Sequence, residues 1–200
     1  GDVLFFGGDS AYPIATSAQL KRRLVDPWNE VLAEVDDGRT RALLATPGNH
    51  DWNDGLDGFG RLFRRKKAPT LVTAPATGTT LALRGYIAVQ DASYFALFLA
   101  PGLALVAPDR QLGKLDFRQR AFFDALREAR EPGAWVVTQG DPCFAFGLPN
   151  EPGQQTRAAL GLAKERALVL AGDSHHYLRL AEPCAGGVTT THITAGGGGA

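Results

Sequence analysis

Four uninterrupted apolar runs stand out along the chain: Val3-Leu4-Phe5-Phe6, Ala42-Leu43-Leu44-Ala45, Ala134-Trp135-Val136-Val137 and Ala167-Leu168-Val169-Leu170-Ala171. Runs of this length without polar alternation suit buried strands. Between them the period changes to that of a helix. Behind a capping Ser17, the residues Leu20, Leu24, Trp28, Val31, Leu32 and Val35 recur at helical spacing, and Pro27 is expected to split that helix. Leu56, Phe59, Leu62 and Phe63 predict a second helix, and Phe117, Ala121, Phe122, Ala125 and Leu126 a third over Asp116–Arg130, ended by Pro132-Gly133. From Thr70 to about Ala107, the short runs at Thr80–Leu83, Tyr86–Val89, Tyr94–Leu99 and Leu103–Val106 predict a β meander, and Thr189–Thr194 alternates like a strand. Strands interleaved with helices predict the α/β class.

Polar chemistry is concentrated where the apolar runs stop. Phe6 is followed by Gly7-Gly8-Asp9, Ala45 by Thr46-Pro47-Gly48-Asn49-His50-Asp51-Trp52, and Ala171 by Gly172-Asp173-Ser174-His175-His176-Tyr177. Asn, Asp and Gly also favour plain turns, and Asp9 reads either as a ligand or as a turn or capping residue. The same arrangement at three strand ends points to a site, because open α/β folds bind ligands beyond the carboxyl ends of their strands. In an extended segment, residues two apart point the same way, so Asp173 and His175 can face one site while Ser174 and His176 face away. His192 reads as a strand residue. A nucleotide-binding Rossmann turn is disfavoured, since Phe6-Gly7-Gly8-Asp9-Ser10-Ala11 lacks the glycine spacing that lets a pyrophosphate approach a helix start.

Gly-Asp, then Gly-Asn-His-Asp, then Gly-Asp-Ser-His-His-Tyr, in this order, resemble the calcineurin-like metallophosphoesterases, and in particular a subgroup whose last motif reads Gly-Asp-X-His-His-Tyr. The resemblance spans almost the whole chain. It implies a four-layer fold of two facing mixed sheets flanked by helices, two divalent metal ions, and hydrolysis of a phosphoester by a metal-activated water. On this resemblance Asp9 bridges the two ions, Asn49 ligates one of them through its side-chain oxygen, and Asp173 and His175 supply further ligands. His50 then lies beside the phosphate with Asp51 orienting its ring, and Trp52 is a packing anchor. An aspartate at position 173, where the wider family has a histidine, favours manganese, iron or magnesium over zinc.

Two departures qualify that expectation. Where the family places a histidine ligand, the chain has Thr138-Gln139-Gly140-Asp141-Pro142, so either Gln139 or Asp141 replaces it or Gln139 is a loop residue. The family's opening Asp-X-His motif would lie upstream of Gly1, and the chain reads as a single domain over residues 1–200, truncated at both ends. These departures keep a second function in view, a binding or regulatory domain that retains the fold with a weakened metal site.

Composition adds limits. Twenty-one basic residues balance 21 acidic ones, so no global charge draws the chain to nucleic acid. Arg61, Arg64, Arg65, Lys66 and Lys67 line one side of the second helix, either as a phosphate- or membrane-attracting patch or as a solvated face. No stretch approaches the roughly 20 apolar residues of a membrane span and no basic-then-apolar leader is visible, so the reading is a soluble domain with a cytoplasmic setting favoured. Cys143 and Cys184 fit neither a disulfide framework nor a zinc motif and read as reduced thiols.

Overall fold

The computed structural model describes residues 2–65, 81–110, 113–129, 133–162 and 165–196. They form a mixed α/β protein whose chain, read from sequence as one domain, gathers into two compact units, Gly1–Ser93 and Tyr94–Ala200.

In the first unit, strands β1 (Val3–Phe6), β2 (Arg41–Ala45) and β3 (Tyr86–Ala88) form a parallel sheet in that order. The expected first helix is present as α1 (Ser17–Leu20), a wide π-helical turn at Lys21–Val25, and α2 (Asp26–Glu34). Thr16 rather than Ser17 is the cap, its Oγ1 accepting from the Gln19 N–H. Pro27 therefore does not split the helix. A proline within a helix lacks an N–H and crowds the carbonyl four residues back, and the wide turn just before it accommodates that conflict. The extra residue in that turn also shifts the apolar stripe. Leu20, Leu24 and Val25 are buried, whereas Val31 and Val35, expected on the inner face, are 61% and 66% exposed. The core closes with Leu43 and Ala45 of β2 against Phe59, Leu62 and Phe63 of α4 (Asp57–Phe63).

In the second unit, a six-stranded sheet has the order β10-β11-β9-β6-β5-β4, comprising β4 (Phe95–Ala100), β5 (Leu103–Ala107), β6 (Ala134–Gln139), β9 (Ala167–Ala171), β10 (Tyr177–Pro183) and β11 (Thr189–Ala195). Neighbours β5, β6, β9 and β11 are parallel, while β4 and β10 run antiparallel at the two edges. The expected meander is thus divided: β3 belongs to the first sheet, and only β4 and β5 form a hairpin in the second. Leu81–Leu83 forms no strand, and the part of the predicted meander at 70–80 lies outside the described residues. Helix α5 (Phe117–Ala129) also turns differently from its predicted phase. Phe123 and Gln119 are buried and Phe117 is 76% exposed. Gln119 is drawn inward because its amide satisfies the backbone of Asp109, accepting from the N–H at 2.9 Å and donating to the C=O at 2.7 Å. Helix α6 (Glu151–Ala159) and the hairpin β7 (Phe144–Ala145) and β8 (Leu148–Pro149) lie in a stretch for which the apolar pattern predicted nothing. No helix among the described residues is long and apolar enough to cross a membrane.

His192 on β11 is buried, bonded through Nε2 to Glu182 at 3.0 Å, and Glu182 also pairs with buried Arg157. Burial lowers the His192 pKa below its ordinary 6.5, despite the carboxylate beside it. Burial alone would raise Glu182, yet Arg157 and His192 hold its carboxyl below the usual range. Both depressed values act in the same direction: the stability they contribute is present above the ordinary pKa values and is lost on acidification, first for His192 as pH falls below 6.5 and then for Glu182 in the acid range. Urea midpoints measured between pH 7.5 and 5 are expected to fall in the wild type and to fall less in His192→Gln. Equal slopes would show that His192 does not titrate in this way.

Candidate functional site

In each unit the candidate residues lie beyond the carboxyl ends of parallel strands. In the first unit, the turn after β1 and the turn after β2 are pressed together. A Cβ added at Gly48 would lie 2.1 Å from Asp9 Oδ1 and 2.5 Å from the Asp9 nitrogen, and one at Gly8 would lie 2.8 Å from the Gly48 nitrogen. Only glycine allows this approach, and Gly8 also adopts φ 108°. Gly48→Ala is expected to destabilise the fold by about 1–3 kcal/mol, because the Asp9 backbone nitrogen must yield along with its carboxylate. Urea unfolding checks it, and a change below about 0.5 kcal/mol would mean that the two turns part freely.

The clamp brings together Asp9, Asn49, His50 and Asp51. Asp9 has φ 50°, a left-handed conformation that aspartate tolerates better than most residues. Its Oδ1 accepts from the His50 backbone N–H at 3.0 Å, and its Oδ2 accepts from the Tyr12 hydroxyl at 3.2 Å. Asn49 opens the short helix α3 (Asn49–Trp52) with an exposed side chain.

Asp51 takes a different role from the one expected. Its carboxylate is fully buried and accepts from the Gly48 N–H at 2.9 Å and the Ser10 N–H at 3.4 Å, tying the two turns together. Burial raises its pKa, opposed by those two N–H groups and reinforced by the nearby charge of Asp9. The His50 ring is instead oriented by the Pro13 carbonyl, 2.6 Å from Nδ1, and by Tyr12, whose ring lies 4.3 Å away between centroids. A carbonyl only accepts, so Nδ1 carries a proton and Nε2 is the atom left for chemistry: a lone pair in the neutral ring, an N–H in the imidazolium. Tyr12, which bonds Asp9 and packs on His50, carries no signal in the apolar and polar pattern that would mark it as part of this cluster.

In the second unit Gln139 ends β6 and pairs in register with Ala171, the last residue of β9, so the turns after these strands are neighbours. Asp173 repeats the geometry of Asp9, with φ 50° directly beyond a strand and a glycine. The segment Asp173–His176 is a series of bends rather than an extended run, yet the expected alternation survives: Asp173 and His175 are exposed, Ser174 and His176 half-buried. His176 Nε2 accepts from the Phe146 N–H at 3.3 Å.

Of the two substitutes for the missing histidine, Asp141 is engaged elsewhere and Gln139 is engaged through its nitrogen alone. Gln139 is buried, with Nε2 donating to the carbonyls of Asp141 at 2.6 Å and Gly153 at 3.2 Å, which leaves Oε1 as the one atom able to ligate. Asp141 is ion-paired with Arg110 at 2.7 Å. Among the described residues no group of three His, Cys, Asp or Glu side chains is placed to hold a metal ion. The arginines expected on this helix are engaged locally, Arg64 and Arg65 lying beyond its end at Phe63: Arg61 pairs with Asp57, Arg65 with Asp91, and Arg64 donates to the Asp91 backbone carbonyl. That is a solvated face; Lys66 and Lys67 lie outside the described residues. An open depression of about 590 Å³, lined by Leu103, Val136, Leu168, Ile193, Arg166 and Arg179, includes residues at the starts of β5, β6 and β9, the opposite edge from the candidate residues of the second unit.

No family model matches the chain, and no curated protein does. Among solved structures it is similar to GAP50, described as the anchor in the inner membrane complex of Plasmodium, with a TM-score of 0.60 and 11% identity. The match covers 98% of this chain and 61% of that one. At this identity the likeness shows the fold alone.

Proposed function

We propose that the chain is part of a metal-dependent phosphoester hydrolase of the calcineurin-like kind, with its two sheets facing each other in a four-layer sandwich. The observation that carries this reading is the twinned Gly-Asp turn: Asp9 and Asp173 each stand at φ 50° directly after a glycine, three and two residues beyond the end of a strand with a parallel neighbour. Such backbone strain concentrates at functional sites, where the surroundings hold it in place. In kind, Asp9, Asn49, Asp173 and His175 fit hard divalent cations such as manganese, iron or magnesium; in number, the described residues do not close a cage. Bound divalent cations would polarise the phosphoryl group and lower the pKa of an attacking water. The chain's own part is to hold the carboxylates in place and to present His50 Nε2 as a proton donor or acceptor beside them.

Metal analysis of the native full-length protein after dialysis against manganese tests this. Retention of ions by the wild type, with loss in Asp9→Asn and Asp173→Asn, is the expected result; no retention in any form would overturn it. A second reading, a binding domain with a weakened metal site, is favoured by the ion pair that engages Asp141 with Arg110. It predicts no retained metal and no turnover in a fully folded protein.

A further inference from the structure

The hairpin β7–β8 is anchored at its base and exposed at its tip. Phe144 meets the His192 ring edge-on with centroids 4.9 Å apart, and the Asn150 N–H donates to the Cys143 carbonyl at 2.9 Å. At the tip, Phe146 is 78% exposed and Leu148 69% exposed. Phe146 is nevertheless fixed. Its N–H bonds His176 Nε2, and its ring stacks on that imidazole at 4.3 Å with a 22° interplanar angle. It holds this place at φ 51°, a conformation that costs an aromatic residue energy. A lone exposed phenylalanine needs no explanation, but one that is strained, hydrogen-bonded and stacked on a single face is a preorganised surface. His176 covers one side of the ring, the exposure leaves the other open, and Asp173 and His175 precede His176 within the same loop.

We propose that Phe146 is a stacking platform for a flat aromatic group, the aryl or heteroaryl alcohol part of a phosphoester held at the Asp173–His175 loop. The identity of that ester rests on the phosphoesterase reading; the platform itself does not. A stacked pair adds roughly 0.5–1.5 kcal/mol beyond area burial, which corresponds to about a 2-fold to 12-fold preference for an aryl over a methyl substituent on the same anion.

Titration calorimetry of the manganese-supplied full-length protein with phenylphosphonate and methylphosphonate measures that preference. The phenyl compound is expected to bind more tightly by this factor, Phe146→Ala to abolish the difference without weakening methylphosphonate, and Phe146→Trp to keep it. A second measurement needs neither metal nor phosphate: phenol should shift the His176 ring-proton resonances in the wild type and not in Phe146→Ala. Phosphonate binding with no aryl preference, or a preference that survives in Phe146→Ala, overturns the platform and leaves the hydrolase reading intact. Phenol shifts that vanish in Phe146→Ala, without phosphonate binding, keep the platform and sink the hydrolase reading. If neither probe responds, both are wrong.

Discussion

His50→Ala is expected to retain bound metal while losing about 100-fold to 10,000-fold in kcat on a phosphoester, the usual scale of a general acid or base. The ring is not assigned as a ligand on the chain's resemblance, and its local contacts do not need the side chain to hold Asp9, since the bond to Asp9 Oδ1 comes from the His50 backbone N–H. Truncation therefore removes Nε2 without loosening the carboxylate. If Nε2 protonates the leaving group, the loss should shrink on aryl phosphates whose phenols are more acidic; if it stabilises a phosphoryl oxygen, the loss should be uniform across the series. Measuring kcat against leaving-group pKa, with metal content in parallel, separates the two. Unchanged kcat or a metal-free variant would remove His50 from the chemistry. Tyr12→Phe supplies a useful contrast, because it keeps the ring packing on His50 and deletes only the hydroxyl that donates to Asp9.

What could be read from sequence followed from chain punctuation. Apolar runs that end in glycine and then in carboxylates, amides or imidazoles announce both a strand and the loop beyond it, so β1, β2, β6 and β9 and the polar residues Asp9, Asn49, His50 and Asp51 at their ends were legible. What was not legible depended on tertiary partners. The wide turn at Lys21–Val25 moved the apolar stripe by a residue, which no count of helical spacing registers. Gln119 is polar by composition and buried in fact, because a strand-end backbone needed its amide. Asp51 looked like a partner for the neighbouring imidazole, and only the approach of two turns made it a clamp between them. The Phe146 platform had no signal beyond Phe-Gly in a short hairpin.

Gln90→Ala is expected to cost about 2–4 kcal/mol of stability, since it would leave two buried backbone groups without partners at roughly 1–3 kcal/mol each. Strand β3 ends at Ala88, which pairs with Leu43, two residues short of Ala45, so the ladder does not reach Ala45 from that side. Gln90 fills the gap with its side chain: Oε1 accepts from the Ala45 N–H at 2.7 Å and Nε2 donates to the Ala45 carbonyl at 3.0 Å, with a further bond to Ala92 at 2.8 Å. The amide stands in for a missing strand residue directly below Thr46-Pro47-Gly48. Gln90→Glu is the sharper variant. It keeps the shape and the acceptor but replaces the donating nitrogen with an oxygen, so that a carboxylate faces the Ala45 carbonyl in a site where Gln90 is 3% exposed. Both variants should lower the urea midpoint. Because the lost support lies under the loop that carries Asn49 and His50, they should also weaken whatever that loop binds, whereas an equally destabilising cavity in the second unit, such as Val169→Ala, should not. A Gln90→Ala protein as stable as the wild type would show that water or β3 itself can take over the Ala45 backbone.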